Sequence, residues 1–110
     1  MPNLFDHPSL PATEEHLELL AQGDGMRIER IISSGYASPP NFWYDQELDE
    51  WVVLLQGEAV IRFADGETRT LRNGDWLFLP AGLHHRLDRT SSNPPCIWLA
   101  VHGRMEASER

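Results

Sequence analysis

Residues 74–85 read GDWLFLPAGLHH, and this stretch decides the fold class that the sequence predicts. Gly74 closes a turn, and the apolar residues 76–79 that follow are typical of a short strand. The Pro-Ala-Gly sequence at 80–82 forms a second, rigid turn, because proline fixes one backbone angle and glycine adopts conformations that other residues avoid. This turn directs His85 back toward the sheet, so the stretch predicts a histidine aimed at a site.

Turn signals recur at close spacing through most of the chain, with short apolar or alternating runs between them. Clear turns fall at Gly57, at Asp65-Gly66 and in the proline-containing loop 91–95. Eight or so short strands separated in this way predict an all-β fold, a sandwich or a barrel, over residues 26–102.

The segments outside this all-β region have different signatures. Residues 1–12 are proline-rich and predict an arm on the surface, and residues 103–110 predict a polar tail. Residues 13–22 predict a short helix, with Thr13 as its N-cap and Gly23 as its end. The 110 residues are enough for one domain with its own core and too few for two, so we expect a single domain.

The composition argues against several classes of function. The formal net charge is -8, and such an acidic surface repels phosphate backbones and anionic membranes, so we expect neither nucleic-acid nor membrane partners. All nine basic residues are arginines, and a chain without lysine forms no Schiff base. The sequence has no signal-peptide pattern and no membrane-length apolar run, and its one cysteine, Cys96, suits a reducing compartment. We therefore expect a cytoplasmic protein.

A second stretch, residues 44–57, reads YDQELDEWVVLLQG. Together with residues 74–85 it resembles the two motifs of the cupin family, whose members are small β-barrels of the double-stranded β-helix, or jelly-roll, type. Glu50 and Gly57 fall at the glutamate and glycine positions of the first motif, and His85 falls at the histidine of the second. The resemblance therefore implies an all-β, cupin-type barrel.

The first cupin motif also has two histidines, and here Tyr44 and Gln46 stand at their positions. The resemblance implies a divalent metal ion (Fe, Mn, Ni or Zn) held by Gln46, Glu50 and His85. Tyr44 and Glu50 are then the candidate catalytic groups, and Tyr44 also lines the substrate pocket. Both replacements weaken such a site, because an amide oxygen is a weak neutral ligand and a phenol ligates only when ionised.

Two alternatives to this metal site stay open. In one, Glu50 and His85 form an internal hydrogen-bonded ion pair and leave a polar pocket that binds a ligand without metal. In the other, a shift of one residue puts Trp43 and Asp45 at the histidine positions of the first motif.

Three further residues are candidates for the wall of the substrate pocket. Trp43 and Trp76 could stack on a planar or cationic substrate, although aromatic residues in strands first of all fill a core or an interface. His102 ends the last predicted strand in phase with Trp98 and Ala100. It faces the pocket if that side of the strand points inward, and is solvated if it does not.

These observations lead to two classes of function. The first is a metal-dependent enzyme that acts on a small molecule, in the dioxygenase, isomerase or lyase class that the cupin resemblance implies. The second is a metal-free, non-catalytic module that binds a small ligand or dimerises. Small cupins commonly pair through sheet edges and exposed apolar faces, so the resemblance also implies a homodimer.

Overall fold

The computed structural model describes residues 1–108, and the only regular elements among them are eight β-strands. They are β1 (Glu15–Gly23), β2 (Met26–Ser33), β3 (Asp49–Gln56), β4 (Ala59–Phe63), β5 (Thr68–Leu71), β6 (Trp76–Leu79), β7 (His85–Thr90) and β8 (Cys96–Gly103). Among the described residues no helix is long and apolar enough to cross a membrane.

The strands form two antiparallel sheets. The larger sheet has the order β1-β2-β8-β3-β6, and the smaller has the order β5-β4-β7. Side chains alternate between the two faces of each strand, so one face of each sheet supplies the core. The buried core residues come from both sheets and include Val52, Leu54, Ile61, Leu71, Leu79, Leu87, Trp98 and Ala100. The all-β prediction is confirmed.

The prediction of a short helix over residues 13–22 is wrong, because this segment forms strand β1. The residues are good helix formers, but pairing with β2 from Glu15↔Ser33 to Gly23↔Met26 gives the backbone its hydrogen bonds in a hairpin. Pairing between strands overrides a weak local preference of this kind. As a result the side chain of Glu15 lines a cavity that lies between the two sheets.

The N-terminal arm is held against the larger sheet by Arg30, which is buried. The Arg30 guanidinium donates to the carbonyl oxygens of Leu4 at 2.9 Å and Asp6 at 2.5 Å, and it pairs with the Glu18 carboxylate. At the other end of the chain, Gly103 still belongs to β8. The last two positions of the predicted polar tail, 109 and 110, lie outside the described residues.

The rigid turn before β7 is tied to the start of β3. The backbone N–H of Ala81 donates to Asp49 Oδ1 at 2.8 Å, and the N–H of Met105 donates to Asp49 Oδ2 at 2.9 Å. These backbone hydrogen bonds, first that of Met105, lower the pKa of the Asp49 carboxyl. The N–H of Gly82 donates to the carbonyl oxygen of Gln46 at 2.9 Å. The two sequence stretches are thereby fixed to each other beside the cavity.

Candidate ligand pocket

A cavity of about 140 Å³ lies between the two sheets. That volume holds several water molecules or a small organic molecule, and it is below the range of pockets for drug-sized ligands. The polar lining residues are Glu15, Arg27, Glu29, Tyr44, Gln46, Glu50, His85 and His102. The apolar lining residues are Leu17, Ile31, Val52, Ile61, Leu79, Leu87 and Trp98.

A row of three polar side chains crosses the wall of the cavity. Glu50 on β3 is the register partner of His102 on β8, and His102 is the partner of Arg27 on β2. Residues directly opposite each other on antiparallel strands share one face of the sheet, with Cβ atoms about 5 Å apart. Strand pairing therefore brings a carboxyl group, an imidazole and a guanidinium to the same wall.

Glu50 is buried, with 5% of its surface exposed. Burial raises the pKa of its carboxyl to about 7, and the negative charges of Glu29 and Glu15 add to that increase. A hydrogen bond from the Gln46 side chain acts in the opposite direction. Glu50 is therefore a carboxyl group that can both take up and release a proton near neutral pH.

His85 is buried beside Tyr44, and the two residues are joined through their backbones. The N–H of Tyr44 donates to His85 O at 2.7 Å, and their rings stack with centroids 5.2 Å apart. Burial lowers the pKa of the His85 imidazole, so the ring is neutral. Its Nδ1 lies 3.1 Å from the carbonyl oxygen of Leu83, which places the proton on Nδ1. Nε2 is then an acceptor.

The Tyr44 hydroxyl points to the carboxylate of Glu15, which β1 brings into the pocket. Tyr44 donates a hydrogen bond to Glu15 Oε1, and Ser33 Oγ donates to Glu15 Oε2 at 3.2 Å. Burial, followed by the neighbouring Glu15 charge, raises the pKa of the Tyr44 phenol, so the phenol stays protonated. Burial also raises the pKa of Glu15, against the effect of these two hydrogen bonds.

His102 faces the cavity and has 3% of its surface exposed. Its Nε2 lies 2.9 Å from Glu29 Oε1, and Glu29 is also 3.5 Å from Arg27 Nε. The His102–Glu29 contact has the length of a hydrogen bond without its alignment, and neither ring nitrogen has an aligned partner among the described residues. Burial, ahead of any other cause, lowers the pKa of His102, so this second imidazole is also neutral.

The two tryptophans predicted for the pocket do not line it. The guanidinium of Arg86 lies 5.8 Å from the ring centroid of Trp43, and neither residue lines the cavity. Trp76 is 44% exposed, and its ring lies 5.9 Å from that of Trp51 on the outer face of the larger sheet. The alternation of β6 explains this placement, because Leu79 lines the cavity and Trp76 is an odd number of residues away.

The residues of the two registers left open for the first motif lie in different places. Asp45 is exposed, and its carboxylate lies 3.2 Å from Nε2 of the exposed His84, outside the cavity. Tyr44 and Gln46, one residue to either side, line the cavity. These two residues therefore share the cavity with Glu50 and His85.

Comparison with known proteins identifies the family. A family model described as "Cupin domain" matches residues 28–102. The chain belongs to the cupin family. The crystal structure of a candidate mannose-6-phosphate isomerase from Ralstonia eutropha is 44% identical, with a TM-score of 0.87 over 96% of this chain and 98% of that one.

More distant structures share the cupin fold of this chain. A cupin superfamily protein from Desulfitobacterium hafniense is 24% identical, with a TM-score of 0.71 over 87% of this chain and 83% of its own. A protein from Thermus thermophilus is 25% identical, with a TM-score of 0.71 over 89% of this chain and 90% of its own. The cupin-type barrel that the sequence predicts is thereby confirmed.

The donors present in this cupin do not fit the metal ion that the family implies. Tyr44 donates its hydroxyl proton to Glu15, and Gln46 donates an amide N–H to Glu50, so the atoms left for a metal are a protonated phenol oxygen and a neutral amide oxygen, both weak ligands. No group of three or more His, Cys, Asp or Glu side chains that could hold a metal ion occurs within residues 1–108. Of the motif positions, Glu50 and His85 alone would leave a divalent ion short of protein ligands, and Nε2 of His102 lies against Glu29.

Sequence reasoning missed two functional candidates in the pocket, Glu15 and Glu29. The local sequence predicts a helix for the segment that holds Glu15. In the same segment Leu17 and Leu19 alternate with polar residues, a pattern that is compatible with a strand. Glu29 lies on a predicted strand, but no motif singles it out. Both carboxylates reach the cavity only because β1 and β2 pair with the rest of the larger sheet.

Proposed function

We propose that this cupin catalyses proton transfer at the carbon beside a carbonyl group of a small, uncharged hydroxy-carbonyl compound. Glu50 is the base that takes the proton and returns it. The observation that carries the proposal is a carboxyl group, 5% exposed on the wall of a cavity, with its pKa raised to about 7. A general base works best when its pKa is near the operating pH.

The 44% identical relative supports this class of reaction. It is described as a candidate mannose-6-phosphate isomerase, and aldose–ketose isomerisation is a proton transfer between neighbouring carbons and oxygens. The pocket of this chain holds the groups that such a reaction needs. Glu50 transfers the carbon-bound proton, while neutral His85 and the Tyr44 hydroxyl can contact ligand oxygens.

The charge of the pocket favours an uncharged ligand over a phosphate ester. Arg27 is the only cationic lining group among the described residues, and it lies 3.5 Å from Glu29. Glu15 and Glu50 line the same cavity, and both histidines are neutral. A phosphate group, which carries roughly two negative charges at neutral pH, would meet carboxylates without a free cation to offset them.

Deuterium exchange tests the proposal. We would incubate the protein in deuterated buffer with glyceraldehyde, dihydroxyacetone and mannose, and follow loss of the C–H signal beside the carbonyl group by proton NMR. We expect exchange with at least one of these compounds, and weaker exchange with mannose 6-phosphate than with mannose. Glu50→Gln should lower the exchange rate by a factor of about 100 or more. Glu47→Gln, a matched change at an exposed glutamate, should leave the rate unchanged.

A second candidate function is binding without turnover. It is favoured by the pairing of Tyr44 with Glu15 and of Gln46 with Glu50, which occupies polar groups with one another. This alternative predicts that a ligand raises the melting temperature of the protein while no probe exchanges its C–H proton. Wild-type protein that exchanges no compound of the panel would therefore contradict the catalytic proposal.

Partners and location complete the proposal. We infer a homodimer from the free edge of β1 and its exposed leucines, and a cytoplasmic protein from the single buried cysteine. The net charge of -8 supports the absence of nucleic-acid and membrane partners.

A further inference from the structure

Glu15 and Tyr44 form a hydrogen-bonded pair on the wall of the same cavity as Glu50. Glu15 comes from β1, before the residues 28–102 that the cupin family model matches, and Tyr44 comes from the segment before β3. The carboxylate of Glu15 accepts from the Tyr44 hydroxyl on one oxygen and from Ser33 Oγ on the other. Ser33 is fully buried, so its hydrogen bond fixes the position of the Glu15 carboxylate from the protein interior.

We propose that Tyr44 and Glu15 relay the hydroxyl proton of the ligand, while Glu50 transfers the carbon-bound proton. This inference rests on the proposed function, which it completes. An aldose–ketose interconversion moves one proton between two carbons and a second between two oxygens. Glu50 alone can serve only one of these transfers at a time, so the second needs its own acceptor.

The relay balances in protons and electrons. Glu50 takes the proton from the carbon. The C–H electron pair forms the C=C bond, and the carbonyl π pair moves onto its oxygen, which gives an enediolate that keeps one hydroxyl. The hydroxyl of the enediolate gives its proton to Tyr44 Oη as the proton of Tyr44 passes to the Glu15 carboxylate, so the phenol stays neutral. The Glu15 acid then returns a proton through Tyr44 to the former carbonyl oxygen. Glu50 returns its proton to the former carbonyl carbon on the C=C electron pair, and a lone pair of the deprotonated hydroxyl oxygen forms the new C=O bond.

The electrostatics of the pocket support this division of work. Burial and the charges of Glu15 and Glu50 raise the pKa of Tyr44, which keeps the phenol from ionising when it passes a proton on. Burial raises the pKa of Glu15 as well, which makes the carboxylate a better proton acceptor. The Tyr44 ring stacks on the His85 ring, which fixes the direction of the hydroxyl.

Two rates measured on one sample test the relay. In deuterated buffer, proton NMR gives both the exchange of the C–H proton and the conversion of an aldose probe, glyceraldehyde, into its ketose, dihydroxyacetone. Exchange at the original carbon needs only Glu50, whereas conversion needs both transfers. We expect Glu15→Gln and Tyr44→Phe to lower conversion relative to exchange by a factor of about 100.

Matched controls separate the relay from a structural effect. Glu14→Gln, at an exposed glutamate beside Glu15, should change neither rate. A purely structural role for the pair predicts that exchange and conversion fall together in Glu15→Gln and Tyr44→Phe. That outcome, or conversion that both variants retain, overturns the relay while leaving Glu50 as the base. Wild-type protein without any exchange overturns the proposed function, and the relay with it.

The proton between the two side chains gives a second readout without a ligand. A buried hydroxyl proton that is hydrogen-bonded to a carboxylate exchanges slowly with water and gives a downfield proton NMR signal. We expect one such signal in the wild-type protein, absent in Tyr44→Phe and displaced in Glu15→Gln. A spectrum that is the same in all three proteins would show that the pair is not hydrogen-bonded in solution and would overturn the relay.

Discussion

At the scale of single residues, burial decides what the pocket can do. Glu50 and His85 are ordinary titratable side chains in the sequence. Their removal from water favours the neutral form of each, so the pKa of Glu50 rises and the pKa of His85 falls. The result is a carboxyl group with a pKa of about 7 in the same cavity as an uncharged imidazole. Environments that shift pKa values in this way allow one site to carry out acid–base chemistry at neutral pH.

The raised pKa of Glu50 predicts a pH-dependent stability. The stability that the Glu50 carboxyl contributes is fully present below its unfolded pKa of 4.5. It is lost as the pH rises through about 7, because the folded state binds the proton more tightly than the unfolded state. Relative to Glu50→Gln, the wild-type free energy of unfolding should therefore fall by up to about 3 kcal/mol across this window. Urea unfolding of both proteins at the two pH limits measures the difference.

Glu47→Gln, the same change at an exposed glutamate, serves as the control for that measurement. Glu15 also has a raised pKa and is present in all three proteins, so it enters the comparison only through its charge interaction with Glu50. A Glu50→Gln difference that stays constant over the window would show that Glu50 titrates normally in the folded state.

Two substitutions should rebuild the metal site that the first motif lacks. Tyr44→His together with Gln46→His places two imidazoles beside Glu50 and His85, which is the ligand set that the cupin resemblance implies. We expect the double variant to bind Zn(II) or Ni(II) stoichiometrically and the wild type to bind neither tightly, because amide and protonated phenol oxygens are poor ligands. Metal content after gel filtration measures both. Stoichiometric metal in the wild type would show that the donors present in the pocket do hold a divalent ion.

At the scale of elements, the turns are the most strictly specified parts of the barrel. Gly57, between β3 and β4, has a φ of 105°, and a Cβ there would lie 2.9 Å from the Cα of Cys96. Gly66, between β4 and β5, has a φ of 92°, and a Cβ there would have no atom within 4 Å. Both glycines have a positive φ that other residues avoid, but only at Gly57 would an added Cβ meet neighbouring atoms.

That difference predicts unequal effects of the same substitution. Gly66→Ala carries only the backbone strain, about 1–2 kcal/mol of unfolding free energy. Gly57→Ala adds a clash with backbone that cannot move aside, so we expect at least about 3 kcal/mol. Thermal or urea unfolding of both variants compares them. Equal losses of stability would indicate that the approach of β8 to this turn is looser than the structure shows.

At the scale of the whole molecule, the free edge of the larger sheet is the place where a partner can add. Strand β1 has β2 as its only strand neighbour among the described residues, and Leu17, Leu19 and Leu20 on it are each more than 40% exposed. Exposed edges with apolar side chains pair with other chains unless charge or cover prevents it. The same strand supplies Glu15, so a partner added at this edge would contact an element that carries a pocket residue.

We predict that the protein is a homodimer and that the edge of β1 forms its interface. Leu19→Glu puts a charge on this edge and should shift the protein to the monomer in sedimentation velocity, whereas Phe42→Glu, an exposed apolar residue on another segment, should leave the dimer intact. A wild-type monomer, or a dimer that survives Leu19→Glu, would contradict this interface.

The sequence by itself determined the local geometry and the family. The turn residues Gly57 and Pro80 and the short runs between turns predict an all-β fold, because each turn depends on the backbone angles of a few neighbouring residues. The cupin-type barrel is implied by the resemblance of residues 44–57 and 74–85 to the two cupin motifs, which also implies that Tyr44 and Gln46 stand where the first motif has histidines.

Only the tertiary structure decided which side chains share the pocket. Local preference assigned Glu15 to a helix, and pairing with β2 made it a strand residue that reaches the Tyr44 hydroxyl. The alternation of β6 sent Trp76 to the outer face, and burial gave Glu50 its raised pKa. Each outcome depends on a partner distant in sequence, since pairing and desolvation arise only when the two sheets close over the cavity.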